Sequence, residues 1–394
     1  MNNILALENY VTIIQNNSNH FSPSEIVRIC KRKNNAKRDF LFVNPLQGKH
    51  IHVDPANTFT LYDELVLAIT RTLNPCEKVV VIGFAETATA IGHYVASTLP
   101  NCVYYMQTTR ENITNATSLL EFKEEHSHAM EQFLYGDISK LSGCDRIIFV
   151  DDEISTGNTV LNFIREIEKV CSNMKYGVAT FLNWQDDVWA DKFKKHGIDT
   201  YFVLRGKLKD LSAKVCVPAS CKEHLPTPFT ALPEIFEASC SVSNYSKERI
   251  GSKPENFLRF CETIYSTAAL VLKDKLPVKG ENILVLGTEE YMFAPLVLAK
   301  MFGEKHYANV QYHATTRSPI ATSDYGDYAV KQRYPIRSCY DSTRNTFIYN
   351  LEKYDKVYIV TDVIPNSDFV NDISSALVSA GCKPENILII VMKG

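Results

Sequence analysis

The 394-residue sequence predicts an α/β fold built on parallel sheet, with a second α/β domain after the first. Three observations carry this. Short apolar runs such as Val79–Ile82 and Ile147–Val150 alternate with longer amphipathic stretches. Those runs are continuously apolar, as strands covered on both faces require. The alternation stops over 214–245, where Pro218, Pro226, Pro228 and Pro233 cluster, and then resumes. We therefore expect a first domain over 1–213 with an N-terminal hood, a linker over 214–245 and a second α/β domain over 246–394.

In chain order, Ser22-Pro23-Ser24-Glu25 has the form of a helix entry: Ser as N-cap, Pro at the first helical position, Glu at the third. Phe40–Val43 and Lys49–Val53, broken by Asn44-Pro45 and Gly48, suggest a basic hairpin-like element. A helix over Tyr62–Leu73 precedes a strand at Lys78–Ile82, then Gly83 and a helical stretch through Ala96. Strands follow at Cys102–Met106 and Arg146–Val150, separated by a polar segment over 110–136. A helix begins near Thr159, with strands at Tyr176–Leu182 and Tyr201–Leu204. After the linker the pattern gives helix 255–273, strand Asn282–Leu286, helix 291–302 and strand Asn309–His313. Strand Lys356–Val360, helix 368–380 and strand Ile387–Val391 complete it.

The two halves echo each other. Val79–Glu86 lines up with Ile283–Glu290, Met106–Arg110 with His313–Arg317, and Val150–Asp152 with Val360–Asp362, at offsets of 204, 207 and 210 residues. Three matches in one order at nearly constant offset suggest that the second domain is a degenerate copy of the first. Shared strand order is the test.

Composition narrows the function. With 42 basic against 45 acidic residues, bulk attraction to nucleic acid is not expected. No apolar run approaches the ~18 residues of a membrane span, and MNNILALENY has no basic start before an apolar core, so neither membrane nor export is expected. Eleven scattered cysteines without a CxxC pair fit reduced thiols in the cytoplasm rather than a disulfide framework or zinc site.

The chemistry concentrates in Ile147-Ile148-Phe149-Val150-Asp151-Asp152-Glu153-Ile154-Ser155-Thr156-Gly157-Asn158-Thr159. Two carboxylates end a buried strand, where ligands bind in open α/β sheets. A small, hydroxyl-rich loop then opens an amphipathic helix, whose N-terminal amides suit an anion. Acids are repelled by a bare phosphate but suit sugar hydroxyls and a magnesium shell. A ribose 5-phosphate fits both halves of the motif.

This run resembles the phosphoribosyl pyrophosphate (PRPP) motif of type I phosphoribosyltransferases, closest to the orotate type. The resemblance implies that Asp151 and Asp152 bind ribose, with Mg2+ held mainly through PRPP. Ser155, Thr156, Gly157, Asn158 and Thr159 would hold the 5′-phosphate. The pyrophosphate loop would be Gly83-Phe84-Ala85-Glu86-Thr87, where Glu86 departs from the basic or glycine residues of many members. Arg110 would reach pyrophosphate, and 111–136 would form the closing loop, with His126 and His128 as candidates for acting on the leaving group or nucleophile. Lys49 and His50 could form a hood over the acceptor, as in orotate-type enzymes. A homodimer is a further expectation.

Thr316-Arg317-Ser318-Pro319, with GFAETATAIG, TTRE and HSHA, resembles the narrower family in which a phosphoribosyltransferase precedes a TRSP domain, linked to bacterial tellurite-resistance and stress gene clusters. This implies a role in nucleotide-like metabolite synthesis, with Thr316, Arg317 and Ser318 as a second candidate site. The function expected is PRPP-dependent transfer to an unidentified base-like acceptor. The alternative is a non-catalytic PRPP or nucleotide binder; under either reading the second domain is expected to have lost independent PRPP binding, because its Val363–Asp368 loop lacks Thr-Gly-Asn-Thr and Pro365 has no N–H.

Overall fold

The structure is a computed structural model, which describes residues 6–33, 40–113, 118–123, 131–171, 173–209, 232–239 and 249–393. Its main body is an eight-stranded sheet. From one edge the order is Val11–Asn16, Ile198–Leu208, Lys175–Asn183, Arg146–Ile154, Val79–Gly83, Cys102–Thr109, Glu131–Tyr135 and Ser118–Lys123. The strands from Ile198–Leu208 through Cys102–Thr109 are mutually parallel. Val79–Ile82 and Ile147–Val150 have no exposed surface at all, because helices cover both faces of the sheet.

A second sheet runs Glu234–Ser239, Ile387–Lys393, Lys356–Thr361, Asn282–Gly287 and Asn309–Ala314, all parallel. Its last four strands repeat the order of Lys175–Asn183, Arg146–Ile154, Val79–Gly83 and Cys102–Thr109. Helices also fall at matching places. Pro55–Thr70 and Pro254–Leu272 precede the first strand, Thr89–Thr98 and Phe293–His306 link the first to the second, and Asn158–Glu168 and Ser367–Ser379 link the third to the fourth. Each half also places an antiparallel pair between its second and third strands: Ser118–Lys123 with Glu131–Tyr135, and Arg333–Arg337 with Asn345–Tyr349. The strand-order test for the repeat is met.

Several elements differ from the expectation. The first helix starts at Pro55, seven residues early, because Asp54 caps it by accepting from the Ala56 amide at 2.9 Å. Phe40–Val43 pairs with Arg28–Lys31 rather than with residues 49–53. Pro45 and the left-handed Gly48 carry the chain away, and Val53 instead bridges Tyr312 in the second half. Glu234–Ser239 lies within the expected linker and forms the second sheet's edge.

The halves meet face to face. Helix Thr89–Thr98 of the first packs on Pro254–Leu272 and Phe293–His306 of the second, and Pro55–Thr70 also meets Phe293–His306. The seam is aromatic: His93 lies 4.6 Å from the Phe257 ring and stacks on Phe293 at 5.8 Å. The chain ahead of each first helix crosses to the other half. Val53 exchanges backbone hydrogen bonds with Tyr312 at 2.9 and 2.8 Å, and Ser252 with Tyr105 at 2.9 and 2.8 Å.

Candidate active site

Asp151 and Asp152 end the strand Arg146–Ile154 at its carboxyl edge, in the centre of the first sheet. Both are half-buried. The Asp152 amide donates to Asp151 Oδ1 at 2.9 Å, and the Thr87 hydroxyl donates to Asp152 Oδ1 at 3.0 Å. Burial, and then the charge of Asp152, hold the Asp151 carboxyl well above the usual carboxylate range. Neither acid has a cationic side chain within salt-bridge distance among the described residues. Such a pair has the chemistry to take sugar hydroxyls, a divalent cation, or both.

The loop after the strand is shaped by its glycine. Gly157 adopts φ +71°, and a Cβ there would lie 2.3 Å from the Phe193 ring; no other residue type fits without displacing Phe193. Helix Asn158–Glu168 starts immediately afterwards, anchored by buried Val160, Phe163, Ile164 and Ile167. The first amides of a helix lack intrahelical acceptors, so the backbone around Thr156–Thr159 offers donors and a positive end. Ser155 through Thr159 thus surround one anion-receptive turn directly after the acid pair.

The loop Gly83–Thr87 follows the adjacent strand. Thr87 turns to Asp152, but Glu86 turns away. It is buried and bound to Lys49, and it accepts from the Arg317 amide at 3.2 Å. Burial alone would raise its pKa; the charges of Lys49 and Arg317 outweigh burial and hold it at about 2. The departure at Glu86 is therefore a buried ion pair at the seam, facing away from the anion-receptive turn. Ala85 fixes the loop to the neighbouring strand, its amide donating to the Thr108 hydroxyl at 2.8 Å.

Lys49 and His50 do not overhang the acid pair. Lys49 has no exposed surface, and its Nζ also donates to the Glu289 carbonyl at 3.2 Å. His50 is buried beside it, its pKa pushed down to about 3 by burial and then by the Lys49 charge. Both are seam residues. Phe42, on the N-terminal hairpin, stacks at 4.5 Å on Trp184, just beyond strand Lys175–Asn183. Next to it, buried Gln185 has both side-chain amide atoms without a hydrogen-bond partner. No short-range pattern singled it out.

Arg110 lies at the end of strand Cys102–Thr109, two strands from Asp151, roughly 10 Å across the sheet. Its amide donates to Glu290 Oε1 at 3.0 Å, and its buried Nε is unpartnered. His126 and His128 fall outside the described residues. In the second half, Thr316 bridges Phe347, and Ser318 donates its amide to the Thr316 hydroxyl at 3.2 Å. Arg317 is buried among Glu86, Glu289, Glu290 and Glu111.

The equivalent of Asp152 in the second half, Asp362, is already occupied. Arg249 binds it, and the Tyr340 hydroxyl donates to it at 2.6 Å. Arg249 also pairs with Glu290 at 3.0 Å. Its position just ahead of the helix, equivalent to that of His50, was the one signal available in the sequence.

A central acid pair at the carboxyl edge of the sheet is thus followed directly by a glycine-shaped turn and a helix start. Residues 26–202 match the family described as phosphoribosyl transferase, and residues 246–377 match the TRSP domain found C-terminal to it. The chain thus carries a match to the phosphoribosyl transferase family followed by a match to the TRSP domain that accompanies it. No curated protein matches it. Among solved structures, adenine phosphoribosyltransferase from Rhodothermus marinus is 15% identical with a TM-score of 0.33, the match covering 46% of this chain and 95% of that chain. The Trypanosoma brucei adenine enzyme, solved with AMP, pyrophosphate and ribose-5-phosphate, gives 15%, 0.34, 50% and 85% in the same order. Orotate phosphoribosyltransferase from Aeropyrum pernix gives 14%, 0.26, 39% and 73%.

Proposed function

We propose that the first domain binds PRPP and transfers its ribose 5-phosphate to a base-like acceptor, releasing pyrophosphate. The observation that carries this is the unpaired Asp151–Asp152 couple ending in the Gly157 turn. In this reading the two carboxylates accept hydrogen bonds from the 2′- and 3′-hydroxyls. The amides and hydroxyls from Ser155 to Thr159 donate to the 5′-phosphate, and Arg110 faces the pyrophosphate. As the bond from C1 to pyrophosphate lengthens, C1 gains positive character, which the nearby acids favour.

Magnesium fits this site only together with the ligand. Asp151 and Asp152 supply two oxygens, and no group of three or more potential metal ligands occurs among the described residues. When bound, it would neutralise charge on the departing pyrophosphate. Ser155 stands where the purine-salvage enzymes have an acid near the base, which favours an acceptor that is already deprotonated. Gln185 can offer that acceptor one donor and one acceptor atom.

A second reading, non-catalytic binding of PRPP or a nucleotide, draws support from Glu86, whose loop position is committed to Lys49 and Arg317. Two measurements separate them. Calorimetry with PRPP and magnesium should show binding that Asp151→Asn with Asp152→Asn abolishes, with circular dichroism unchanged. A pyrophosphate-release assay across candidate bases should give turnover; binding without release selects the second reading, and binding that survives the double substitution rejects both.

A further inference from the structure

The contacts between the halves are reciprocal. The Val53–Tyr312 and Ser252–Tyr105 exchanges are counterparts, since Tyr105 and Tyr312 occupy matching positions in matching strands. The Arg317 amide donates to Glu86 and the Arg110 amide to Glu290. Each is the arginine after the second strand bonded to the loop glutamate of the other half. Residue i touching j while the counterpart of j touches the counterpart of i is the pattern of a two-fold interface between identical subunits. Here it is made within one chain.

The side chains break that symmetry in one direction. Glu111 follows Arg110, and two arginines of the second half converge on it. Arg317 Nη2 binds Glu111 Oε1, and Arg344 Nη2 donates to the same oxygen at 2.8 Å. Both arginines are backed by Glu289, at 2.7 Å for Arg317 and 3.1 Å for Arg344, and the Ser338 hydroxyl accepts from Arg344 at 2.9 Å. The residue after Arg317 is Ser318, so no return clamp exists. Meanwhile Asp362 of the second half is sealed by Arg249 and Tyr340.

We propose that the C-terminal domain is a built-in pseudo-subunit with no sugar-phosphate site of its own, whose Arg317 and Arg344 clamp Glu111 and thereby position the Arg110 turn of the N-terminal site. Arg317 and Arg344 are positioning residues. The affinity readout rests on the PRPP reading given above; the backbone readout does not.

The test uses the full chain. Arg344 is the less buried of the two arginines, so Arg344→Ala is the first variant, with Arg344→Lys as the conservative one and Glu111→Gln as the converse. Hydrogen–deuterium exchange over residues 108–113 should quicken in Arg344→Ala and in Glu111→Gln, and return towards wild type in Arg344→Lys. Calorimetry with PRPP and magnesium should show one site per chain, weakened about fivefold or more in Arg344→Ala, at an unchanged melting temperature. Exchange that does not change in a folded Arg344→Ala overturns the clamp. Faster exchange with unaltered PRPP affinity overturns the positioning role, and two PRPP molecules per chain overturn the silence of the second domain. A wild-type chain that takes up no PRPP overturns the PRPP reading instead, and exchange alone then decides the clamp.

Discussion

At the scale of single residues, the site divides into what local sequence dictates and what distant partners decide. Asp151 to Thr159 is a contiguous strand, turn and helix start, so its geometry follows from neighbours in the chain, and its strand–turn–helix layout is the one the sequence indicates. Gly157 is the most demanding position. Gly157→Ala forces a side chain into a positive φ against Phe193 and should cost about 2 kcal/mol of stability, measured by denaturant unfolding, together with weaker PRPP binding. Lys49, His50 and Glu86 were not legible in the same way. Their roles depend on Arg317 and Glu289, more than two hundred residues away, and no spacing rule anticipates such a meeting. Arg249 was missed for the same reason. Arg249→Ala leaves Asp362 buried without its cation and Glu290 with only the longer contact to Arg317, and should destabilise the chain by about 3–5 kcal/mol. Arg249→Ala with Asp362→Asn should recover part of that loss in the same unfolding assay.

At the scale of elements, the central strands were visible because they are apolar on both faces, a pattern few other structures produce. The edge pieces Val11–Asn16 and Glu234–Ser239 and the strand Arg333–Arg337 were not. They are partly exposed and polar on one side, so their periodicity fades into that of loops. The helices at the seam carry the most cohesion per residue. Phe293 is buried and contacts Phe59, His93, Tyr94 and Phe257, so it joins two helices of the first half to two of the second. Phe293→Ala should cost about 3–5 kcal/mol. Unlike an equal loss inside one sheet, it should split thermal unfolding into two calorimetric steps as the halves lose their coupling.

At the scale of the whole molecule, one core cluster runs through both halves, so the wild-type chain should unfold as one unit. Three buried histidines should govern its acid limit. His50, His93 and His313 are pushed down to about 3, about 3 and about 4, in each case first by burial. In each, the folded value lies below the ordinary one near 6.5, so between those limits the unfolded chain binds more protons. The stability that depends on the neutral rings is complete above pH ~6.5 and is lost as pH falls towards 3–4, at roughly 1.4 kcal/mol per pH unit for each ring. Glu86, held at about 2, starts to lose its share only below pH ~4.5. Denaturation midpoints should therefore fall between pH 7 and 5, before Glu86 titrates, and His93→Phe should flatten that slope. The repeat was legible from three short alignments because strand order is preserved even where chemistry is not; the reciprocal seam was not, since it is a relation between surfaces.

Joining the halves covalently has a genetic consequence. In a pair of separate identical chains every substitution appears twice, so a change that ruins one pocket ruins both. Here the codon for Thr361, opposite Asp151, could drift while Asp151 stayed acidic, and Arg249 could arise without a matching intruder at His50. A tandem duplication would release one copy from the duty of chemistry and leave it free to be selected for support alone.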